Sequence, residues 1–320
     1  MQIHENISLS DIAYYRIGGT ASYVLEISSN KDILEALSFL KEKNIANVQV
    51  LGLASNIILP ETHFEGAVLW MHGSGTTFQR ITDNTVSVFA GETMDYLINA
   101  TLGVGLIGLE WAGGLPSTVG GAVRGNAGAF GSESKDTVLE VEAIDLLSPE
   151  QGSRIFTNTE AHFAYRHSYF KDYSSLLITS VTFQLTQSDD ESLEKAKEVY
   201  QKNIAYRLEH HPMEYPSCGS VFKNIVEQGN VQKILSVWPD VRSLSQEKWH
   251  NKISMGYVIN RLGFSGKQVG GAQVSSKHTN YIVNIDHAKA QDVITLMKQI
   301  SDAFFQTFGF HPEPEVVVQT

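Results

Sequence analysis

The spacing of apolar residues along the chain predicts a mixture of helices and strands. In four segments the apolar positions recur three and four residues apart, which is the period of an amphipathic helix. These predicted helices are 31–43, 94–102, 190–206 and 287–307. Two short β-branched segments bounded by turn formers, 47–51 and 85–90, are typical of strands. We therefore expect an α+β fold.

A change of pattern in the middle of the chain predicts a domain boundary. The most charged stretch, DDESLEKAKEVYQKN, follows the strand-like LLITSVTFQLT and begins near residue 189. We expect an N-terminal domain over 1–189, in two lobes of about 1–62 and 63–189, and a C-terminal domain over 190–320. The charged helix itself is typical of a solvated face that covers a sheet.

Composition and charge narrow the class of protein. No apolar run among the 320 residues reaches the roughly 18 residues of a membrane span, and MQIHENISLSD lacks the order of a signal peptide, so we expect a cytoplasmic protein. The net charge of −11 disfavours nucleic acid as a partner, so any anionic ligand must meet local cations. One cysteine, Cys218, excludes an internal disulfide, and the histidines lack the spacing of metal ligands.

Residues 113–131, GGLPSTVGGAVRGNAGAFG, contain seven glycines. Such a run is favoured where the backbone turns sharply or lies close to something else. Two interpretations are open: backbone lying flat against a large planar ligand, and tight packing of the loop itself. The nearby Gly103-Val-Gly105-Leu-Ile-Gly108 fits a dinucleotide fingerprint, but a helix-like segment precedes it where a strand is needed, so we expect a helix end and a turn.

Three further segments carry candidate chemistry. Residues 52–56, GLASN, follow a predicted strand, and their backbone N–H groups could face a phosphate, although a ligand-free turn has the same residues. Arg166 in YRHS suits bidentate recognition of a carboxylate, against the alternative of a surface arginine. In PSCGSVFKN, Ser220 lacks the frame of a hydrolase nucleophile, and Cys218 is a nucleophile or, more commonly, a small buried thiol.

Taken in order, these segments resemble the UDP-N-acetylenolpyruvoylglucosamine reductases, the MurB flavoenzymes of peptidoglycan synthesis. The resemblance spans nearly the whole chain. It runs through YRIGGTA, LGLASNIIL, GLPSTVGGAVRGNAGAFG, YRHSYFK, PSCGSVFKN, GGAQVSSKHTNYIVN and FGFHPEPEV. It implies a two-lobed FAD-binding domain of the vanillyl-alcohol-oxidase (PCMH) type, followed by a substrate-binding α+β domain whose tail returns to the active site.

The resemblance also implies a cofactor and the residues that bind it. FAD would be bound noncovalently, since no histidine lies in the glycine-rich stretch to tether it. The family pattern has glycine where Ala54 stands. The cofactor-binding residues implied are Gly52, Ala54, Ser55, Asn56, Pro116, Gly120, Gly121, Asn126 and Gly128.

The family's chemistry implies a ping-pong reduction. NADPH reduces FAD and leaves, and the enolpyruvyl ether of UDP-N-acetylglucosamine then takes hydride at C3 and a proton at C2. Ser220 matches the family's proton donor, Arg166 matches the arginine of YRxS, and Glu315 matches the glutamate of EPEV. Without the resemblance, Glu313 and Glu315 would be interpreted as part of a solvated C-terminal tail. The residues implied at the UDP end are Arg207, Lys223, Asn224, Lys277 and His278.

Two other functions compete with the reductase. A related FAD-dependent sugar or lactone oxidase would not need the GSVFKN and EPEV pair. A catalytically silent UDP-sugar-binding protein would not need Ser220, Arg166 and Glu315 together. We therefore expect a cytoplasmic and monomeric reductase with no metal.

Overall fold

A computed structural model describes residues 1–319 of the chain. Its strands are β1 Gln2–Ser8, β2 Thr20–Ile27, β3 Val48–Leu51, β4 Ile57–Ile58, β5 Phe64–Met71, β6 Gln79–Arg80, β7 Thr85–Phe89, β8 Leu106–Ile107, β9 Gly128–Ala129, β10 Ser132–Glu133, β11 Val138–Asp145, β12 Ser153–Thr157, β13 Leu176–Gln184, β14 Thr186–Gln187, β15 Ser217–Ser220, β16 Gln268–Val269, β17 Ala272–Val274, β18 Tyr281–Asn284 and β19 Val317–Val318. Its helices are α1 Asn30–Glu42, α2 Met94–Gly103, α3 Val119–Arg124, α4 Tyr169–Asp172, α5 Asp190–His210, α6 Gln228–Val237, α7 Arg242–Glu247, α8 Met255–Arg261 and α9 Ala290–Phe308.

The four helices predicted from apolar spacing are confirmed as α1, α2, α5 and α9, and the two predicted strands as β3 and β7. Local capping explains where several helices begin. The Ser29 hydroxyl accepts the N–H of Asp32 at the start of α1, and the Thr93 hydroxyl accepts that of Tyr96 at the start of α2. The turn expected after Gly103 is also confirmed, because α2 ends at that residue.

No helix within residues 1–319 has both the length and the apolarity of a membrane span.

The chain divides into two compact units. Unit 1 contains 1–7, 21–53 and 63–209, and unit 2 contains 8–20, 54–62 and 210–320. This division differs from the expected boundary at residue 189 and from the expected lobes. Helix α5 belongs to unit 1 because its buried side chains pack there, and two short early segments belong to unit 2.

Unit 1 contains two main sheets. The first has the order β1-β2-β5-β3, with β5 parallel to both β2 and β3. The second has the order β12-β11-β13-β7-β6 and is antiparallel throughout. Their buried faces share one apolar core with α1, α2, α3 and α5. The strand β5, Phe64–Met71, lies in the first sheet, and it therefore joins the two lobes that the sequence analysis separated at residue 62.

Unit 2 is built on an antiparallel sheet of order β15-β18-β17-β16. Helices α6, α8 and α9 pack on it and, together with strands and loops of this unit, form the second apolar core of the chain. The early segments are tied into this unit: the buried Tyr15 hydroxyl donates to the carbonyl of Ile282 at 2.7 Å, and β4 pairs in parallel with β19 at the C-terminus. Unit 2 therefore depends on contacts between the two ends of the chain.

Candidate active site

The glycine-rich segment 113–131 forms a loop, the short helix α3 and one strand of a hairpin in unit 1. Helix α3 starts beside the 90–92 segment, where the N–H of Val119 donates to the carbonyl of Glu92 and that of Gly120 donates to the carbonyl of Ala90. A Cβ on Gly120 would lie 2.9 Å from the Ala90 Cβ, so only glycine allows this approach. Packing within the protein thus explains part of the glycine pattern, as the alternative interpretation expected.

Three predicted residues meet in the turn after α3. Asn126 is fully buried with a φ of +41°, and its amide donates to Glu133 Oε2 at 2.7 Å and to the carbonyl of Ala164 at 2.8 Å. The carbonyl of Gly128 accepts a hydrogen bond of 2.8 Å from Arg166 Nη2. The Asn126 side chain therefore holds the loop, and the Arg166 guanidinium is anchored at the hairpin.

Arg166 occupies a tight turn with a φ of +56°, between Ala164 and His167, which pair with each other. Its guanidinium lies 5.3 Å from the centre of the Tyr165 ring, and the side chain is half-buried. The buried Ser168 hydroxyl donates to the carbonyl of Arg124 at 2.7 Å and so ties this turn to α3. A fixed and partly desolvated guanidinium suits a planar anion better than a freely moving surface arginine would.

In unit 2, Ser220 is the last residue of β15, opposite Tyr281 of β18. The pairing is irregular between Ser217 and Ser220, where Gly219 has a φ of +76°. Beyond Ser220, the buried Asn280 amide donates to the carbonyl of Phe222 at 2.8 Å, and its oxygen accepts the Phe222 N–H at 3.1 Å. Asn280 was missed in the sequence analysis, although a polar residue next to the buried strand YIVN was the available signal.

The C-terminal tail runs alongside the Ser220 segment. The N–H of Glu315 donates to the carbonyl of Val221 at 2.9 Å, and Pro314 pairs with Phe222. On its other side, the Asn56 amide donates to the carbonyl of Glu315 at 3.3 Å. The structure therefore brings the backbones of Ser220, Glu315 and Asn56 together within unit 2, and Glu315 does not lie in a solvated tail.

Four of the five residues predicted at the UDP end lie in unit 2. Lys223 forms an ion pair with Glu313, and Lys277 Nζ lies 3.3 Å from Glu214 Oε2. The Asn224 side-chain oxygen accepts the N–H of Met255 at the start of α8. The two lysines are thus held in place by carboxylates.

His278 lies in an aromatic cluster with His211 and Tyr281, at ring-centre distances of 5.1 Å and 4.9 Å. Burial lowers the pKa of its imidazole, and its buried Nδ1 has no hydrogen-bond partner among residues 1–319. At pH 7 the ring is therefore neutral, so any bond it makes to a ligand is a hydrogen bond and not an ion pair.

The fifth residue predicted at the UDP end, Arg207, lies in unit 1, where its Nε donates to the carbonyl of Gly113 at 2.8 Å.

Comparisons with known proteins bear on the family to which the chain belongs. The family model of the UDP-N-acetylenolpyruvoylglucosamine reductase C-terminal domain matches residues 211–319, and that of an FAD binding domain matches 21–147. The UDP-N-acetylenolpyruvoylglucosamine reductase of Lactobacillus johnsonii is 34% identical over 99% of this chain and 94% of its own length. That of Chlamydia muridarum is 32% identical over 98% of this chain and 93% of its own.

This chain belongs to the UDP-N-acetylenolpyruvoylglucosamine reductase family. The fold agrees, because the structure of the MurB reductase from Thermus caldophilus superposes with a TM-score of 0.75 over 100% of both chains, at 24% identity. The predicted fold class, an FAD-binding domain of the PCMH type followed by a MurB C-terminal domain, is confirmed.

The FAD that this family implies fits the backbone of the 54–56 turn. No backbone carbonyl among residues 1–319 accepts a hydrogen bond from the N–H groups of Ala54, Ser55 and Asn56. Ala54 has a φ of +49°, and a left-handed residue in such a turn directs successive N–H groups to one side. Three unused donors in a row match the acceptor oxygens of a diphosphate.

Ala54 holds a left-handed conformation, with a φ of +49°. This conformation costs a residue with a Cβ about 1–2 kcal/mol, and glycine removes that cost but adds about 0.5–1 kcal/mol of backbone entropy on unfolding. We expect Ala54→Gly to raise the free energy of unfolding by up to about 1 kcal/mol, measured by urea denaturation of the apoprotein. Ala205→Gly, on the exposed face of α5, is the control and should lower it by about 1 kcal/mol. Equal losses in both variants would show that Ala54 is unstrained.

Cys218 is a buried thiol in the reductase core and not an exposed nucleophile. It is 1% exposed, and burial raises its pKa to about 12, so almost none of it is thiolate at pH 7. The histidines, carboxylates and this thiol form no group of three that could hold a metal ion within residues 1–319.

Proposed function

We propose that this protein reduces the enolpyruvyl ether of UDP-N-acetylglucosamine to UDP-N-acetylmuramate, with NADPH as the hydride donor and FAD as the bound cofactor. The observation that carries the proposal is the tail of unit 2, which fixes the backbone of Glu315 against the segment that bears Ser220. An oxidase of sugars has no need for that pairing. The reaction is a step of peptidoglycan precursor synthesis, and we propose that the protein acts as a monomer in the cytoplasm.

FAD, when bound, accepts hydride from NADPH and supplies it to C3 of the enolpyruvyl group. The residues that would hold it are Gly52, Ala54, Ser55, Asn56, Pro116, Gly120, Gly121, Asn126 and Gly128. The turn at Ala54, Ser55 and Asn56 would donate its N–H groups to the diphosphate. Asn126 would act indirectly, by fixing the loop whose backbone faces the cofactor.

One side chain stabilises the negative charge that develops in the reaction, and a second supplies the proton. Addition of hydride next to a carboxylate builds negative charge on that carboxylate, and the Arg166 guanidinium stabilises it through two parallel hydrogen bonds. Ser220 then donates its hydroxyl proton to C2. Because serine is a weak acid, this transfer requires a fixed position, which the end of β15 and the Asn280 contacts supply.

Glu315 is the third member of the proposed catalytic set. Its backbone N–H donates to the carbonyl of Val221, the residue after Ser220, so Glu315 and Ser220 lie on neighbouring backbone segments of unit 2. A carboxylate there accepts hydrogen bonds and orients the reacting end of the substrate. Lys223, Asn224, Lys277 and His278 would bind the UDP portion, with the lysines exchanging carboxylate partners for phosphate oxygens.

The purified protein is expected to be yellow and to release FAD into the supernatant on acid precipitation. Acid should release the FAD because the proposed contacts to it are backbone hydrogen bonds and do not include a covalent bond. Absorbance and chromatography of the supernatant check this result, with the pellet as the control for a covalent flavin. A colourless and folded protein that bound UDP-sugar would favour the silent binding protein, and a flavin that stayed in the pellet would contradict noncovalent binding.

A further inference from the structure

Helix α5 presents one buried face, and half of its buried residues are polar or charged. Its buried residues are Ala196, Tyr200, Asn203 and Arg207, spaced as one stripe of a helix. The Asn203 amide donates to the carbonyl of Glu110 at 2.9 Å, just before the glycine-rich segment 113–131. Ala196 and Tyr200 lie in the apolar core of unit 1, whereas Asn203 and Arg207 anchor the helix to specific backbone carbonyls.

Arg207 contacts both ends of the glycine-rich segment. Its Nε donates to the carbonyl of Gly113 at 2.8 Å, and its guanidinium carbon lies 5.3 Å from the centre of the Phe130 ring. The neighbouring Tyr206 packs edge-on against the same ring at 5.4 Å. Arg207 is therefore the buried charge that links the start of the segment to its end.

The contact between α5 and the segment is close enough to require glycine. A Cβ on Gly113 would lie 2.8 Å from the backbone oxygen of Tyr200, and one on Gly114 would lie 3.2 Å from Arg207 Cδ. Arg207 itself is only 7% exposed. A lysine would keep the charge but lose the flat guanidinium, which hydrogen-bonds a carbonyl and stacks on an aromatic ring at the same time.

We propose that Arg207 is a positioning residue for the flavin, which acts by clamping residues 113 and 130 of the glycine-rich segment, and not a ligand of the UDP diphosphate. This inference rests on the proposed function in one respect, that the segment binds FAD. Arg207 touches neither substrate nor cofactor in this account. It sets the shape of the backbone on which the cofactor lies.

The test compares Arg207→Lys with Lys202→Met, a change on the exposed face of the same helix. For each holoenzyme, the FAD dissociation constant, the visible circular dichroism of the flavin, its midpoint potential and the KM for the UDP substrate are measured. In Arg207→Lys we expect FAD to bind at least about tenfold more weakly, with changed flavin dichroism and a shifted potential, while KM at saturating FAD stays within about twofold. Lys202→Met should match the wild type in all four.

The proposal is overturned if Arg207→Lys leaves the FAD affinity and the flavin dichroism unchanged but raises the KM for the UDP substrate tenfold or more. That result would make Arg207 a ligand of the diphosphate. If Arg207→Lys does not fold, Phe130→Leu decides the question, because this ring is 47% exposed and its loss spares the core. The clamp predicts about threefold weaker FAD binding and altered dichroism in Phe130→Leu, and wild-type values for both would refute it. Failure of the proposed function is distinguishable, since it would appear as a wild-type protein that binds no FAD.

Discussion

Replacing Ser220 with alanine is expected to slow the reoxidation of reduced flavin by the enolpyruvyl substrate by about 10²–10⁴-fold, the usual contribution of a positioned general acid. Reduction of the flavin by NADPH should stay unchanged, because that half of the cycle protonates no substrate. The backbone at this site should survive the change, since Asn280 holds Phe222 through bonds that do not involve the Ser220 side chain. Anaerobic stopped-flow absorbance measures the two halves separately.

The exposed Ser276 of unit 2 offers a matched control, and Ser276→Ala should leave both half-reactions at wild-type rates. Equal slowing of both halves in Ser220→Ala would make Ser220 a structural residue. If neither half slowed, the acid would have to be another group. Cys218 is a poor candidate, because its buried thiol has a pKa raised to about 12.

Arg166→Lys is expected to lower the rate of the same second half-reaction by about 10²-fold, the size of effect seen when one stabilising donor is removed from a developing anion. Lysine keeps the positive charge but cannot form two parallel hydrogen bonds to the substrate carboxylate. It also loses the bond to the Gly128 carbonyl and the stacking on Tyr165, so its ammonium group is less well fixed.

Arg154→Lys is the control for Arg166→Lys. Arg154 is an exposed arginine of unit 1 that pairs with Glu160, and its replacement should leave both half-reactions within about twofold, as expected for a surface ion pair. Near-normal rates of both half-reactions in a folded Arg166→Lys variant would show that Arg166 is a surface arginine without a role in the reaction.

Much of the fold could be predicted because the signals are local. The apolar spacing of α1 or α9 reports which face is buried, and the Ser29 cap marks where α1 starts. The division into units could not be predicted in the same way. It depends on pairings such as that of Asn56 with Glu315, 259 residues apart, and no periodicity in either segment encodes its partner.

The candidate site shows the same limit. Ser220, Arg166 and Glu315 stand in recognisable motifs, but the contacts that fix them involve residues elsewhere in the sequence. Asn280 is one example, since only the folded chain places it against Phe222. Arg207 is a second case: the family resemblance implies a residue at the UDP end, and only the structure reveals the bond to Gly113.

An anaerobic cycle of reduction and reoxidation distinguishes a reductase of the enolpyruvyl ether from an oxidase. The holoenzyme is titrated with NADPH until its visible flavin absorbance is bleached, the NADP⁺ is removed, and the enolpyruvyl ether of UDP-N-acetylglucosamine is added without oxygen. We expect one equivalent of substrate to restore the absorbance and to yield one equivalent of UDP-N-acetylmuramate. A flavin that stays reduced with this substrate, and recovers only when oxygen is admitted, would contradict the account and favour an oxidase.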